Sequence, residues 1–186
     1  MSLLFIIIST VWALSELLLT RLFRSGNEGS KEFDKRSLSL IWVTLTVSIM
    51  TGVFLSKATF HPFTSSEAIS YTGLALIVTG MVIRFLAIRA LGKFFTVDLT
   101  FQKEQSLIKE GLYKHIRHPA YAGSLLSFLG LGLALNNWLS TLIVFIPVFL
   151  SMLYRIRLEE KMLLEKTGAE YREYMQHTRR LIPKIF

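Results

Sequence analysis

Five apolar blocks dominate the chain and read as membrane-crossing helices, the last two short at ~25 Å, with a long mixed segment before the fourth. The pattern predicts spans at about 2–22, 38–56, 68–90, 119–135 and 138–154, followed by a tail over 155–186. The first block is apolar apart from Glu16 and lacks a basic leader region, so it reads as a retained span. Asn136-Asn137 divides the last two blocks and predicts the turn of a helical hairpin. Past Tyr154 the pattern turns amphipathic, with Arg155, Arg157, Glu159 and Glu160 beside Leu158 and Met162, until Gly168 provides a stop. Glu170 to His177 then reads as a short surface helix. The expected fold is all-α: one domain, a bundle of five transmembrane helices with a cytoplasmic loop and a C-terminal helical extension.

Two blocks carry small residues at helical spacing. Gly73, Ile77, Gly80 and Arg84 share one face of the third, and Gly123, Ser127, Gly130 and Ala134 share one face of the fourth, as closely packed membrane helices require. Arg84 is therefore expected to face into the bundle. An arginine at that depth costs roughly 2.5–3.5 kcal/mol by insertion scales, which calls for a partner or a task. Its alternative is to snorkel to the headgroups. The segment 91–116 breaks the apolar pattern, and alternation over Phe95 to Phe101 hints at a short extended piece.

Hydrophobic residues make up 52% of the 186, too apolar for a soluble domain of this size. The net charge of +8 would suggest nucleic acid in a soluble chain. Here the cations sit between spans: with the N-terminus outside and the C-terminus cytoplasmic, every Lys and Arg except Lys57 falls at the cytoplasmic side. Nucleic acid is not an expected partner. Cysteine is absent, so thiol nucleophiles and disulfides are excluded. His115 and His118 lack a third ligand nearby in sequence, and no metal is expected. No P-loop, dinucleotide glycine fingerprint or G-x-S-x-G elbow occurs.

The densest chemistry lies in LIKEGLYKHIRHPAYAG, Leu107 to Gly123. Gly111 permits an unusual backbone, and Tyr113, His118 and Tyr121 supply rings with polar tips. Pro119 pushes His118 out of helical geometry while suiting the first turn of the next helix. A helix N-terminus opening at the membrane surface can receive a polar ligand. Arg155 and Glu159 stand four apart on one helix face, able to pair or to grip a zwitterion together.

LIKEGLYKHIRHPAYAG, the Asn-containing turn, R-x-x-x-E-E at Arg155 to Glu160 and TGAEYREYMQHTRRLIP together resemble the isoprenylcysteine carboxyl methyltransferase family and the related phospholipid methyltransferases. The resemblance runs from Arg84 to Pro183 and leaves out the first two spans. It implies S-adenosylmethionine as cofactor, bound by Gln105, Ser106, Leu107, Ile108, Tyr113, His118, Pro119, Ala120, Tyr121 and Glu159. It implies that Arg155 contacts the methyl acceptor, and Arg84 matches an arginine of the corresponding family helix. The residue chemistry agrees. Rings can stack on adenine, a carboxylate can hold a hydroxyl or ammonium, and a planar guanidinium can orient an acceptor carboxylate end-on to the methyl group. Arg155, with Arg84 second, is the residue assigned to that orientation.

The expected function is carboxylate O-methylation of a lipid-anchored or amphiphilic acceptor entering from the bilayer at the cytoplasmic leaflet. A phospholipid amine acceptor is the alternative, and would require a base. An NADPH-dependent membrane reductase and a non-catalytic membrane protein packed by glycine faces are the remaining readings.

Overall fold

A computed structural model describes residues 2–23, 32–97 and 107–183. Six α-helices follow one another: α1 (Leu3–Leu22), α2 (Glu32–Ala58), α3 (Ala68–Leu91), α4 (Pro119–Ala134), α5 (Trp138–Thr167) and α6 (Ala169–His177). Two 3-10 turns, Gly92–Phe94 and Gly111–Lys114, interrupt the connection from α3 to α4. Among the described residues no strand forms, and Phe95 to Val97 are irregular; the rest of the predicted extended piece lies outside them.

Four of these helices, α1, α2, α3 and α5, are long and apolar enough to cross a membrane. Helix α4 is the fifth apolar helix at 16 residues. It reaches ~24 Å, short of a hydrocarbon core of ~30 Å. Leu14, Val47, Phe54, Phe85 and Leu150 are bare on the outer faces, which is what lipid contact selects. The fold is that of an integral membrane helical bundle.

Two boundaries differ from the hydropathy reading. Helix α2 begins at Glu32, inside the segment read as a basic loop, and α5 continues unbroken from Trp138 to Thr167. Hydropathy marks where the hydrocarbon ends, whereas a helix can continue into water with charged side chains at little cost. Gly168, at φ +56°, ends α5 and opens α6.

The small-residue faces of α3 and α4 meet each other. Gly73 lies against Gly130 and Ala134, Gly80 against Gly123 and Ser127, and Ser127 Oγ donates to the Ile77 carbonyl at 3.2 Å. Helix α2 packs along α5, and α4 pairs with α5 as the predicted hairpin. Asn136 takes a left-handed φ of 46° in that turn, and Asn137 caps α5 by accepting from Ser140 N at 3.0 Å. Helix α1 is the least embedded span: it buries only Phe5 and Trp12, the latter edge-on to Phe128 at 4.8 Å.

Candidate functional site

The loop before α4 is shaped by its backbone breakers. Gly111, at φ +58°, starts a 3-10 turn that sends Tyr113 inward, where its hydroxyl donates to the Ala87 carbonyl of α3 at 3.4 Å. His118 leaves helical geometry at φ −126°, ψ 58°, and Pro119 takes the first turn of α4, where a missing N–H costs nothing. His118 is buried at 3% exposure.

The chain after α6 returns to this loop. Arg117 N donates to Arg179 O at 2.7 Å, His118 N to Arg180 O at 3.0 Å, and Arg179 N to His115 O at 3.2 Å, around a parallel bridge between Ile116 and Arg179. Tyr174 Oη donates to the Tyr113 carbonyl at 2.6 Å. The motif loop and the segments following α5 therefore form one wall.

Behind that wall is a cavity of about 390 Å³. Its lining joins Tyr113, Arg117, His118, Tyr121, Arg155, Glu159, Tyr171 and Tyr174 with apolar side chains such as Trp12, Ile41, Leu45, Ile49 and Phe128, and with the Glu16 and Arg84 pair. Polar and apolar side chains thus line one space, with α1 and α2 supplying many of the apolar ones. Burial pushes the Tyr174 hydroxyl up to about 12, against the opposing pull of Arg117. Burial, with Glu159 adding to it in both cases, holds Tyr113 and Tyr171 still further above the ordinary tyrosine range. All three stay protonated at neutral pH and can donate.

Of the residues singled out in the sequence, Leu107, Ile108, Tyr113, His118, Ala120, Tyr121, Glu159, Arg155 and Arg84 all line this cavity. Pro119 is buried at the helix start without lining it. Gln105 and Ser106 lie outside the described residues. Arg155 is 2% exposed, donating from Nη1 to Ser37 Oγ and from Nη2 to the Val97 carbonyl, each at 2.6 Å. Tyr121 lines the cavity with Arg155 and Glu159, its ring edge-on to His118 at 5.8 Å. Arg84 faces the bundle as expected, and its Nε sits 2.7 Å from Glu16 Oε1 on α1 while Nη1 donates to the Ala120 carbonyl at 3.2 Å.

Sequence reasoning missed Glu16 as the partner of Arg84, and missed Tyr171, Tyr174, Trp12 and Trp42 as cavity residues. The lone carboxylate in an apolar block was the available signal for Glu16. The tyrosines gave none, because a Tyr on a short amphipathic helix usually marks packing alone.

The phospholipid methyltransferase family model matches residues 69–170. A probable protein-S-isoprenylcysteine O-methyltransferase of Oryza sativa subsp. indica is 35% identical over 119 residues, 63% of this chain and 62% of that protein. Protein-S-isoprenylcysteine O-methyltransferase B of Arabidopsis thaliana is 33% identical over 144 residues, covering 76% of this chain and 73% of the relative. The chain thus spans about three fifths of the rice relative's length, 62%. Among solved structures, the eukaryotic intramembrane Ras methyltransferase ICMT (isoprenylcysteine carboxyl methyltransferase) shares the fold with a TM-score of 0.66 at 23% identity, covering 97% of this chain and 65% of that one. The chain belongs to the isoprenylcysteine carboxyl methyltransferase family, within the wider phospholipid methyltransferase grouping.

Proposed function

We propose that this protein is an S-adenosylmethionine-dependent membrane methyltransferase that esterifies a carboxylate on an amphiphilic or lipid-anchored acceptor. The observation that carries the reading is one cavity lined both by Glu159, His118 and four tyrosines and by apolar side chains of α1 and α2. The names of its relatives support the acceptor class.

The residues present fit the donor. Tyr171 Oη is buried, lines the cavity and has no hydrogen-bond partner among the described residues, leaving one hydroxyl for a ligand. Glu159 is partly open at 26% exposure and can hold a hydroxyl or ammonium group. Tyr113 and Tyr121 offer ring faces. When bound, S-adenosylmethionine supplies an electrophilic methyl group on a sulfonium sulfur. An acceptor carboxylate is ionised at neutral pH, so the chain needs to orient it and exclude water rather than remove a proton. Arg155 and Tyr121, adjoining Glu159, stand where such a carboxylate would be aligned. In the expected topology every Lys and Arg except Lys57 falls at the inner side, and on that bias we assign the polar side chains of the cavity to the cytoplasmic leaflet.

Glu16 favours a second reading, transfer to a phospholipid amine. Its carboxylate matches Arg84, so the cavity is less cationic than two bare arginines would make it, and Glu159 could take the proton an amine must lose.

The test is calorimetric titration of the detergent-solubilised protein with S-adenosylhomocysteine, followed by labelled-methyl transfer into lipid extracts with acid- and base-labile products separated. Glu159→Ala should lower affinity about tenfold, the worth of one charge-assisted hydrogen bond. Arg155→Lys should bind normally but turn over poorly, since a point charge replaces the planar fork. Wild-type protein that binds no S-adenosylhomocysteine would sink the proposal, and a base-stable methylated amine would replace it with the second reading.

A further inference from the structure

Next to Glu159 in the chain is a second carboxylate that does not line the cavity. Glu160 is 4% exposed, and both of its oxygens are engaged. Oε1 accepts from Arg117 Nε at 2.9 Å and lies 3.4 Å from His118 Nε2; Oε2 accepts from Arg180 Nε at 2.9 Å and lies 2.8 Å from Arg180 Nη2. One side chain of α5 thus grips the loop before α4 and the segment after α6. Arg117 extends the grip by donating from Nη1 to the Thr178 carbonyl at 2.6 Å. Leu181, just beyond, is buried in the main core.

Such a cluster needs a reason. Burying ions costs several kcal/mol apiece, and well-packed apolar side chains would join two segments at least as stably. What the ions add is direction: Arg180 sets two nitrogens on Oε2 while Arg117 donates to Oε1, which fixes orientation as well as distance. The groups so oriented belong to the cavity. His118 sits between consecutive carboxylates, with Nε2 toward Glu160 and Nδ1 3.9 Å from Glu159 Oε1. Tyr113 is held at its carbonyl by Tyr174, and Tyr174 in turn accepts at its own carbonyl from Thr178 Oγ1 at 2.6 Å.

We propose that Glu160 is a positioning residue: it fastens the segment Thr178 to Leu181 against the loop Lys114 to His118, and through His118 and Tyr113 that fastening sets the shape of the donor end of the cavity. The inference rests on the reading that this end binds the methyl donor. Glu160 touches neither reactant; its effect passes through the groups it orients.

The informative variant is Arg180→Gln, because Arg180 is the more exposed partner, at 31%, and Arg117 keeps Glu160 matched when it is removed. Arg180→Lys and Glu160→Gln accompany it, all in the full chain in detergent. Amide hydrogen exchange would be followed at Arg117, His118 and Arg179, together with S-adenosylhomocysteine affinity, donor and acceptor KM, and kcat. In Arg180→Gln, exchange at these three amides should rise about tenfold and S-adenosylhomocysteine affinity should fall by a similar factor. Donor KM should rise while acceptor KM stays within about twofold, and Arg180→Lys should recover part of both losses. A cluster that served stability alone would lower the folded fraction without separating donor KM from acceptor KM. Faster exchange with unchanged S-adenosylhomocysteine affinity would overturn the proposal, as would unchanged exchange in Arg180→Gln. Wild-type protein that fails to bind S-adenosylhomocysteine would instead overturn the donor reading and this inference with it, an outcome read before any variant is compared.

Discussion

Whether Arg84 serves the acceptor or helix α1 can be decided by pairing its substitution with that of Glu16. Helix α1 is lightly held, through the Trp12 and Phe128 rings, a Val97 N–H bond to the Phe23 carbonyl at 3.0 Å, and the 2.7 Å Glu16 to Arg84 ion pair. The two charged side chains are 18% and 22% exposed. At an effective dielectric of ~20 their attraction is ~6 kcal/mol before desolvation, which takes back more than half and leaves a coupling of about 2 kcal/mol. Either single change strands a charge in a largely apolar cavity, so Glu16→Gln and Arg84→Gln should each destabilise by about 3 kcal/mol. The double variant should lose about 4 kcal/mol, less than the sum. Stability would be read from reversible unfolding in mixed micelles, and turnover measured beside it on membranes. If the pair is a latch for α1, Glu16→Gln impairs turnover to within about threefold of Arg84→Gln, and the double variant is little worse than either. Coupling below about 0.5 kcal/mol would refute the latch, and a Glu16→Gln variant that keeps wild-type turnover while Arg84→Gln loses it would return Arg84 to the acceptor.

Two further outcomes follow from the packing and the buried phenols. A Cβ on Gly130 would stand 2.5 Å from the Gly73 carbonyl oxygen and 2.8 Å from Ile77 N, so Gly130→Ala should part α3 from α4 at a cost of about 1–3 kcal/mol, visible as a lowered midpoint in micelle unfolding. Tyr174 ionises at about 12 in the folded protein against 10.0 ordinarily, with burial the main cause. The folded state therefore keeps its proton longer than the unfolded chain does. Stability should be flat through neutral pH and decline as pH rises from about 10 past 12, a decline that Tyr174→Phe should soften; a decline starting below pH 9 would point to other groups.

Much of the bundle was readable because membrane helices leave a periodic trace. Gly73, Ile77 and Gly80 on one block and Gly123, Ser127 and Gly130 on the next are spaced for close approach, and they do approach each other. Gly168 was readable as a stop because its backbone, at φ +56° and ψ −114°, suits a residue without a Cβ. The start of α2 was not, since polar helix outside the hydrocarbon has the same hydropathy as loop. Nor were the long-range joins. Nothing in the spacing of His115 to His118 and Arg179 to Arg180 signals a parallel bridge, because a single bridge buries too little side chain to impose a period.

R-x-x-x-E-E shows where local reading stops and tertiary structure takes over. Glu159 and Glu160 are chemically alike and adjacent, yet on a helix they point ~100° apart. Glu159 follows Arg155 by four residues and shares its face toward the cavity, which the spacing alone predicts. The same rotation turns Glu160 out of the cavity, toward whatever happens to pack on that side of α5; here that is Arg117 from one segment and Arg180 from another. A motif of this kind thus encodes two roles at different ranges. Its first carboxylate takes its face from the helix it sits on, and its second finds partners only through the return of a chain that the local sequence does not mention, which is why the cavity-facing residue was the easier of the two to place.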